Sequence, residues 1–328
     1  MKHSPPIARV KIVSTGLYAP RRVVTAEELA PRLGRSAEWI LSRTGVARRH
    51  YADGEAQEDL GAAAARQALG DTPPDLVLSG SGSAVQALPD TATFIAGALG
   101  LEGVPAFSVH ASCLSFVVGL QVAAGLITTG PWRRVLLVSA EKGSPSLDPS
   151  APESAALIGD GAAAAVVEPT PAGEASALLA FSMTTFPSGA SFTEVAGGGT
   201  RHHPFDPSTT DAHQRFFMDG PKVYRMGRQR VAELLDGLWA SLGHGPDAID
   251  VIVPHQASGP ALEALRRFYG LRPDRVVDVI SEYGNCIAAS VPMALHVAAA
   301  EGRIRRGDRV LLIGTGAGLS VAGAVLIW

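Results

Sequence analysis

Two strand-like segments recur in this chain of 328 residues at one constant spacing. Asp75-Leu-Val-Leu78 matches Asp250-Val-Ile-Val253, and Arg134-Val-Leu-Leu-Val138 matches Arg309-Val-Leu-Leu-Ile313, each with a shift of 175 positions. Self-similarity at a fixed period indicates a structural unit that occurs more than once. We therefore predict an α/β fold that is built from two duplicated halves.

The length and composition agree with two intimately packed halves and exclude several classes of protein. We place the N-terminal half at residues 1–170 and the C-terminal half at residues 171–328. With 46% hydrophobic residues and 18% charged residues, the chain is globular and well buried. A net charge of −3 argues against a nucleic-acid-binding protein. The apolar runs look too short, or too often interrupted by glycine and polar residues, to span a bilayer, so no membrane partner is expected.

The two cysteines are too few for a disulfide framework. The first six residues, Met1-Lys-His-Ser-Pro-Pro6, lead into a strand-like segment without the pattern of a secretory signal. We therefore expect a reducing, cytoplasmic environment. No histidine or cysteine spacing is typical of a metal site, and the glycine-rich segments lack the spacing of nucleotide-binding loops, so no metal and no cofactor are expected.

Cys113 occupies a position where a strand is predicted to turn into a helix. Residues 105–109 read as a short strand, and residues 116–127 have the length and small-residue content of a buried helix. Unpaired amides at a helix N-terminus favour an anion, so we expect the Cys113 thiolate to form more readily than at the free pKa of about 8.5. The alternative is an inert cysteine in the core, which is common for a lone cysteine in an apolar stretch.

Two further polar residues stand in comparable positions in the second half. His255 ends the short apolar run that begins at Asp250, which places its imidazole at the C-terminal edge of a strand. Asn285 follows Gly284 and opens a run of small residues. Taken singly, His255 is equally well explained as a structural histidine, and Asn285 is better explained as a helix cap.

The repeat joins these three residues into one candidate site. With the shift of 175 positions, Cys113 is equivalent to Ala288, just inside the segment that Asn285 opens, and His255 is equivalent to Gly80. The cysteine of one half should then face the histidine and asparagine of the other half across a pseudo-twofold axis.

Over nearly its whole length the chain resembles the ketoacyl synthase III group of the thiolase-like superfamily. The motifs that carry the resemblance are Glu38-Trp-Ile-Leu-Ser-Arg-Thr-Gly45, Ser112-Cys-Leu-Ser-Phe116, Gly159-Asp-Gly161, Met218-Asp-Gly220, His255-Gln-Ala257, Gly284-Asn285, Ala288-Ala-Ser-Val-Pro292 and Gly314-Thr-Gly-Ala-Gly318. The resemblance implies a thiolase-like five-layered αβαβα fold made of two duplicated halves, and a homodimer. It also implies a catalytic triad of Cys113, His255 and Asn285.

The chemistry implied by this resemblance has two steps. Cys113 first takes an acyl group from a thioester, while the backbone amides of Cys113 and Ala317 form the oxyanion hole. His255 and Asn285 then stabilise the enolate of a second thioester, malonyl or β-ketoacyl, which attacks the acyl group in a Claisen condensation. The implied product is a 3-ketoacyl thioester, which belongs to fatty acid biosynthesis or to polyketide and specialised metabolism. The implied partners are acyl carrier protein, acyl-CoA or both.

The resemblance also implies roles in substrate binding and in docking. The implied substrate-binding residues are Trp39, Arg43, Leu88, Phe216, Ser258, Cys286 and Thr315. The implied residues for docking an acyl carrier protein are Arg225, Arg266 and Arg267, although exposed charges in a helix commonly form only a solvated face. Pro152 stands near the position where the family has an arginine that grips coenzyme A. Leu88 stands where bacterial housekeeping members have a bulky aromatic residue, which favours a primer longer than acetyl.

Three functions from different classes fit these residues. We favour a condensing enzyme, because all three side chains of the triad are present. The alternative is an acyltransferase of the same fold that passes the acyl group from Cys113 to a hydroxyl or an amine, with His255 as general base. A non-catalytic partner subunit is the third reading, and the presence of Cys113 argues against it.

Overall fold

The computed structural model describes residues 6–328, which form thirteen strands and ten α-helices. The expectation that the chain has no secretory signal rests largely on residues 1–5, which lie outside the described part of the chain. The first seven strands are β1 (Val10–Tyr18), β2 (Arg22–Thr25), β3 (Arg48–Tyr51), β4 (Leu76–Ser79), β5 (Ala106–Ser108), β6 (Val135–Glu141) and β7 (Gly161–Pro169). The helices that alternate with them are α1 (Ala26–Leu33), α2 (Ala37–Thr44), α3 (Gln57–Leu69), α4 (Thr91–Leu99), α5 (Ser115–Thr129) and α6 (Pro152–Ala155).

The second half of the chain contains the remaining elements. Its strands are β8 (Ala177–Thr185), β9 (Thr193–Glu194), β10 (Phe217–Met218), β11 (Val251–Pro254), β12 (Arg309–Gly316) and β13 (Ser320–Ile327). Its helices are α7 (Gly220–Leu242), α8 (Gly259–Phe268), α9 (Ile280–Tyr283) and α10 (Ser290–Ala300). The predicted boundary between residues 170 and 171 falls in the connection from β7 to β8, and the division into two halves at that point stays a prediction.

The two main sheets repeat one arrangement. The first has the order β1-β7-β6-β4-β5 and the second the order β8-β13-β12-β11, with parallel pairing of β4 to β6 and of β11 to β12. The register is also repeated, because Leu76 pairs with Val135 in the first sheet and Val251 with Val310 in the second, each pair 175 positions from its equivalent. The predicted duplication is therefore confirmed at the level of strand pairing.

Three clusters of buried side chains hold the sheets and helices in five layers. Successive side chains of a strand point to opposite faces, so Leu76 and Leu78 face one way and Val77 faces the other. Leu78 joins α5, α10 and the second sheet in a central cluster, while Val77 packs against α3 and α4. A third cluster places α7 and α8 on the outer face of the second sheet. The order helix, sheet, helix, sheet, helix is the five-layered αβαβα fold that was expected.

The central helix α5 corrects one expectation. Together with the turn before it, the segment Ser112–Thr129 is long and apolar enough to cross a membrane, so the prediction that every apolar run is too short or too interrupted was wrong. Half of this segment is buried inside the fold. Phe116 and Leu120 belong to the central cluster between the two sheets, which explains the apolar composition as that of a core helix.

Candidate active site

Cys113 lies in a single 3-10 turn, Ser112–Leu114, between the end of β5 and the start of α5. Ser112 has a φ of 51°, a left-handed conformation that few residues other than glycine adopt. The hydroxyl of Ser115 accepts a hydrogen bond from the Ala111 amide at 2.9 Å and donates one to the Ser112 carbonyl at 2.7 Å. These two bonds fix the turn, and strained turns of this kind commonly mark functional sites.

The second half contains an equivalent turn, Ile287–Ala289, directly before α10. Ile287 has a φ of 48°, which is unusual for a β-branched residue, and its position is 175 residues after Ser112. The two turns contact each other between the sheets. Cys113 and Ala288 therefore occupy equivalent places on either side of a pseudo-twofold axis, as the repeat predicted.

The environment of Cys113 contradicts the expectation of an easily formed thiolate. Burial is the main cause that raises the pKa of Cys113 to about 12, and the negative charge of Glu141 adds to it. The nearby backbone amides of Cys113 and Ala317 favour the thiolate and lower the pKa, but by less. The helix terminus thus acts in the expected direction, and desolvation of the thiolate outweighs it. The same two amides are the predicted oxyanion-hole donors, and both act on the thiol.

His255 directly follows β11 and is held by its backbone. Its amide donates to the carbonyl of Ile313 at 2.8 Å, and its side chain is 5% exposed. Burial lowers the pKa of His255 to about 4, so the imidazole is neutral near pH 7. Within residues 6–328 its Nδ1 atom has no hydrogen-bond partner. A buried imidazole nitrogen without a partner destabilises the fold, and unpaired buried groups of this kind occur at catalytic sites.

Close backbone approach brings His255 beside the turn of Cys113. A Cβ atom on Gly314 would lie 2.7 Å from the Cβ of His255 and 3.2 Å from a methyl carbon of Leu114, the residue after Cys113. Glycine is therefore required at position 314, because any side chain there would separate the two. The neighbouring Gln256 is fully buried, and its amide bonds to the Pro254 carbonyl and the Val279 amide hold the segment in place.

Asn285 joins this segment to the turn of the second half. Its Nδ2 donates to the Ala257 carbonyl at 3.3 Å, and its Oδ1 accepts from the Ile287 amide at 2.9 Å. Its backbone pairs with Leu157 and Gly159, on the predicted Gly159-Asp-Gly161 motif. Helix α10 begins at Ser290, so Asn285 is not its cap, and the alternative interpretation as a helix cap was wrong.

Glu141 was missed by the sequence interpretation. It ends β6, is fully buried, and accepts hydrogen bonds from the amides of Gly82 at 2.5 Å and Ser83 at 2.9 Å and from the Ser83 hydroxyl at 2.6 Å. The Ala288 amide also favours the carboxylate, yet burial raises the pKa of Glu141 to about 7. The only signal in the sequence was a carboxylate at the end of an apolar strand. Glu141 ties loops of both halves together beneath Cys113.

Comparison with known proteins identifies the family. The model of 3-oxoacyl-[acyl-carrier-protein (ACP)] synthase III matches residues 107–187, and the model of its C-terminal part matches residues 240–328. The chain is 37% identical to beta-ketoacyl-[acyl-carrier-protein] synthase III 3 of Streptomyces coelicolor, over 96% of this chain and 97% of that protein. It belongs to the 3-oxoacyl-[acyl-carrier-protein] synthase III family. The predicted resemblance and the predicted class of enzyme, an acyltransferase of the ketoacyl synthase type, are confirmed.

Solved structures of the 3-oxoacyl-[acyl-carrier-protein] synthase III family share the fold. The synthase III of Pseudomonas aeruginosa superimposes with a TM-score of 0.88 at 32% identity, covering 98% of each chain. The priming β-ketosynthase of the R1128 polyketide biosynthetic pathway also has a TM-score of 0.88, at 29% identity, with 99% of this chain and 98% of that chain covered. These likenesses confirm the predicted thiolase-like fold.

Some of the substrate-binding residues expected for a family member meet in one pocket. A pocket of about 170 Å³ beside His255 is lined by Ser258, Thr315 and Leu157, among other residues. Ser258 also caps α8, because its hydroxyl accepts from the Ala261 amide at 3.2 Å. His255, Ser258 and Thr315, three of the predicted site residues, thus line the same pocket, and all three belong to the second half.

Trp39 and Arg43 lie on α2, next to the start of α8. Gly45, with a φ of 76°, ends α2, and a Cβ there would lie 2.9 Å from the Cα of Gly259. The guanidinium of Arg35 lies 5.2 Å from the ring centroid of Trp39. Trp39 and Arg43 are therefore on a helix that contacts the chain at Gly259, four residues after His255.

The other predicted substrate-binding residues lie elsewhere in the structure. Cys286 is fully buried among Ala163, Ala289 and Met293, in a core cluster behind the turn. Leu88 lies in a loop and is 82% exposed, and the backbone amide of Phe216 donates to the carbonyl of Ser146 at 2.8 Å. The described single chain does not bring these three residues together with His255.

Two of the three predicted docking arginines form ion pairs within the chain. Arg266 contacts Asp278 at 2.8 Å, and Arg267 pairs with Glu263 one turn away on α8. Arg225 is exposed on α7. Exposed pairs of this kind contribute about 0.2–1 kcal/mol, so they can exchange partners easily. Docking of a carrier protein by these arginines stays a prediction.

Proposed function

We propose that Cys113, His255 and Asn285 form the catalytic triad of a condensing enzyme that joins an acyl group to a second thioester. Two observations support this most directly: the turn of Cys113 contacts the turn that follows Asn285, and His255 and Leu114 approach each other closely at Gly314. The family membership supports the same reaction.

The first step loads the acyl group. The Cys113 sulfur attacks the carbonyl carbon of an acyl thioester, the bond from that carbon to the donor sulfur breaks, and the thiol proton ends on the departing thiol. Since the pKa of Cys113 is about 12, the resting thiol keeps its proton until attack. The amides of Cys113 and Ala317 then donate to the oxygen that becomes negative, and one such donor typically contributes about 10²- to 10³-fold in rate.

The second step uses the side chains of the second half. Decarboxylation of a malonyl-type thioester breaks its bond to carbon dioxide and leaves an enolate, whose carbon attacks the acyl group on Cys113 and releases the Cys113 thiolate. A neutral His255 and the second N–H of Asn285 donate to the enolate oxygen, because the first N–H of Asn285 is held by Ala257. The thiolate regains a proton from water, and the 3-ketoacyl product remains on its carrier.

The proposal extends to partners and location. We infer that substrates arrive on acyl carrier protein, on coenzyme A or on both, that the chain acts as a homodimer, and that it works in the cytoplasm. The names of the relatives, which specify the acyl carrier protein, support the first inference. The 82% exposure of Leu88, a large apolar side chain, supports a neighbouring subunit that covers it.

The test is the intact mass of the purified protein after incubation with a series of acyl-CoA and acyl-carrier donors. We expect an adduct of one acyl group in the wild type and none in Cys113→Ala, followed by a 3-ketoacyl thioester when malonyl-carrier protein is added. A Cys113→Ala protein that still carries the adduct would contradict the assignment of the nucleophile. An ester or amide product with a hydroxyl or amine acceptor, and no ketoacyl product, would establish the alternative acyltransferase instead.

A further inference from the structure

The pocket beside His255 has an open end and a closed end. Its rim contains partly exposed residues, among them Tyr224, Arg228 and Ser258. Its inner end is lined by side chains that are 7% exposed or less, namely Val231, Ala264, Leu265 and Ile313. The pocket therefore combines a solvent-exposed rim with a buried wall that contains both the imidazole of His255 and apolar side chains.

The closed end belongs to the second half of the molecule and is rigid. Apart from Leu157, every residue that lines the pocket comes from residues 218–315. Val231, Leu265 and Ile313 are members of the outer core cluster between α7, α8 and the second sheet. Core side chains of this kind are closely packed, so the inner wall is a fixed shape.

Gly227 leaves the space open. It lies on α7 and faces β12, since a Cβ atom on it would lie 3.5 Å from the Cγ2 of Thr315, another residue of the pocket wall. A longer side chain at position 227 would therefore enter the pocket. Cavities of about 150 Å³ with aliphatic walls admit a molecule the size of benzene, so about 170 Å³ has room for roughly four to six carbon atoms.

His255 indicates what must lie next to the apolar group. The imidazole of His255, which is neutral near pH 7, is part of the pocket wall, so it can donate a hydrogen bond to a polar atom of a ligand there. A ligand with a carbonyl oxygen next to His255 and an apolar branch on the adjacent carbon atom matches both the imidazole and the apolar wall. A thioester with an alkyl substituent on its α-carbon has this arrangement.

We propose that the closed end holds an alkyl substituent on the α-carbon of the second thioester, so that the preferred second substrate is a 2-alkylmalonyl thioester. This inference rests on the proposed function and names its second substrate. The bond from the α-carbon to carbon dioxide breaks, the electron pair forms the new bond to the acyl carbon, and the bond from that carbon to the Cys113 sulfur breaks. The sulfur takes a proton from water, and the alkyl group remains on the carbon between the two carbonyls.

The experiment compares malonyl-pantetheine and 2-butylmalonyl-pantetheine as second substrates, after Cys113 has been loaded with one acyl donor. We expect wild type to prefer the butyl compound at least tenfold in kcat/KM, since each methylene in an apolar pocket discriminates by about tenfold or more. Gly227→Leu should lower this preference at least tenfold, while its Cys113 adduct still forms. Gly237→Leu is the matched control on the same helix, because position 237 is exposed with nothing within 4 Å of its Cβ, and it should behave as wild type.

Each other outcome has a distinct meaning. A wild type that condenses malonyl-pantetheine but shows no preference for the butyl compound overturns the proposal and leaves the condensing function intact. If Gly227→Leu instead shortens the range of acyl donors that load Cys113, the pocket holds the first acyl chain, which also overturns it. No adduct with any donor would contradict the proposed function itself. Circular dichroism checks folding, and Gly227→Val, a smaller side chain, replaces Gly227→Leu if the latter does not fold.

Discussion

The two halves of this molecule have the same backbone and different chemistry at the same two positions. At the end of the inner strands the first half has Gly80 beside Ser139, and the second half has His255 beside Gly314, each 175 positions later. In the first half the Ser139 hydroxyl donates to the Gly80 carbonyl at 2.5 Å. In the second half the side chain is on the other strand of the pair, as His255, and glycine occupies the position equivalent to Ser139.

This exchange has a steric reason. A Cβ on Gly80 would lie 3.0 Å from the carbonyl oxygen of Ser115, in the first turn of α5, so a side chain at that position would displace the helix behind Cys113. In the second half it is position 314 that must be small, because Leu114 and His255 approach it from both sides. A symmetric scaffold thus carries an asymmetric candidate site, since Gly80 leaves room for the helix behind Cys113 and Gly314 leaves room for His255 beside Leu114.

The largest expected effect comes from moving the thiol across the axis. Cys113→Ala should lower condensation at least about 10³-fold, as removal of a nucleophile does in other enzymes. Adding Ala288→Cys should not restore it, because the new thiol would lie on the half that already carries His255 and Asn285. Adduct mass and product formation measure both variants, and circular dichroism checks that each folds. Recovery to within tenfold of wild type would show that the two turns are interchangeable.

The next effect separates the contributions of the two halves to the reaction. His255→Ala and Asn285→Ala should each slow condensation by about 10²- to 10³-fold, the usual effect of losing an oxyanion donor. The acyl adduct on Cys113 should still form, because its own oxyanion donors are backbone amides. His296→Ala is a suitable control, since this partly buried histidine bonds to Thr15 at 3.0 Å. Equal loss of the adduct in His255→Ala would place the imidazole in the loading step.

The sequence predicted the duplication and the triad for physical reasons that are local. Strands buried on both faces are continuous apolar runs, and two such pairs with one shift of 175 identify the repeat. The residues of the proposed triad each follow such a strand or open a run of small residues. Cys113, His255 and Asn285 could therefore be found from short segments and the motifs around them.

The missed features depend on distant parts of the chain. The partners of Glu141 are Gly82, Ser83 and Ala288, about 60 to 150 positions away, and no periodic pattern connects them. The pKa of Cys113 was predicted in the wrong direction, because a helix terminus is visible in the sequence while burial and the charge of Glu141 are not. Tertiary contacts determine both the position of Glu141 and the pKa of Cys113.

A smaller effect tests the steric part of the comparison. Gly314→Ala places a Cβ 2.7 Å from that of His255, so the imidazole must shift by a few tenths of an ångström or more. We expect kcat to fall about 10- to 100-fold, because catalytic groups lose this much when displaced by about 1 Å. Gly97→Ala is the control, since nothing lies within 4 Å of its Cβ on α4. Unchanged kcat in Gly314→Ala would mean that β12 can move away without cost.

The smallest effect concerns the charge beneath Cys113. Above pH 7 the Glu141 carboxylate is mostly ionised and opposes the nearby thiolate, whereas below pH 7 it is mostly protonated. Glu141→Gln removes the charge and keeps one oxygen that accepts from either the Gly82 or the Ser83 amide, which bond to different carboxylate oxygens in the wild type. Alkylation of Cys113 by iodoacetamide should then be up to about tenfold faster than wild type at pH 8, the equivalent of one pKa unit, with a ratio near one at pH 6.

The control for this last prediction is a buried carboxylate whose charge acts on the other cysteine. Asp160 accepts from the Ser144 amide at 2.9 Å, and its charge raises the pKa of Cys286. Asp160→Asn should leave the alkylation rate of Cys113 unchanged. If Glu141→Gln accelerates alkylation equally at pH 6 and pH 8, the cause is a loosened turn, and Glu141 acts as a clamp between the halves rather than through its charge.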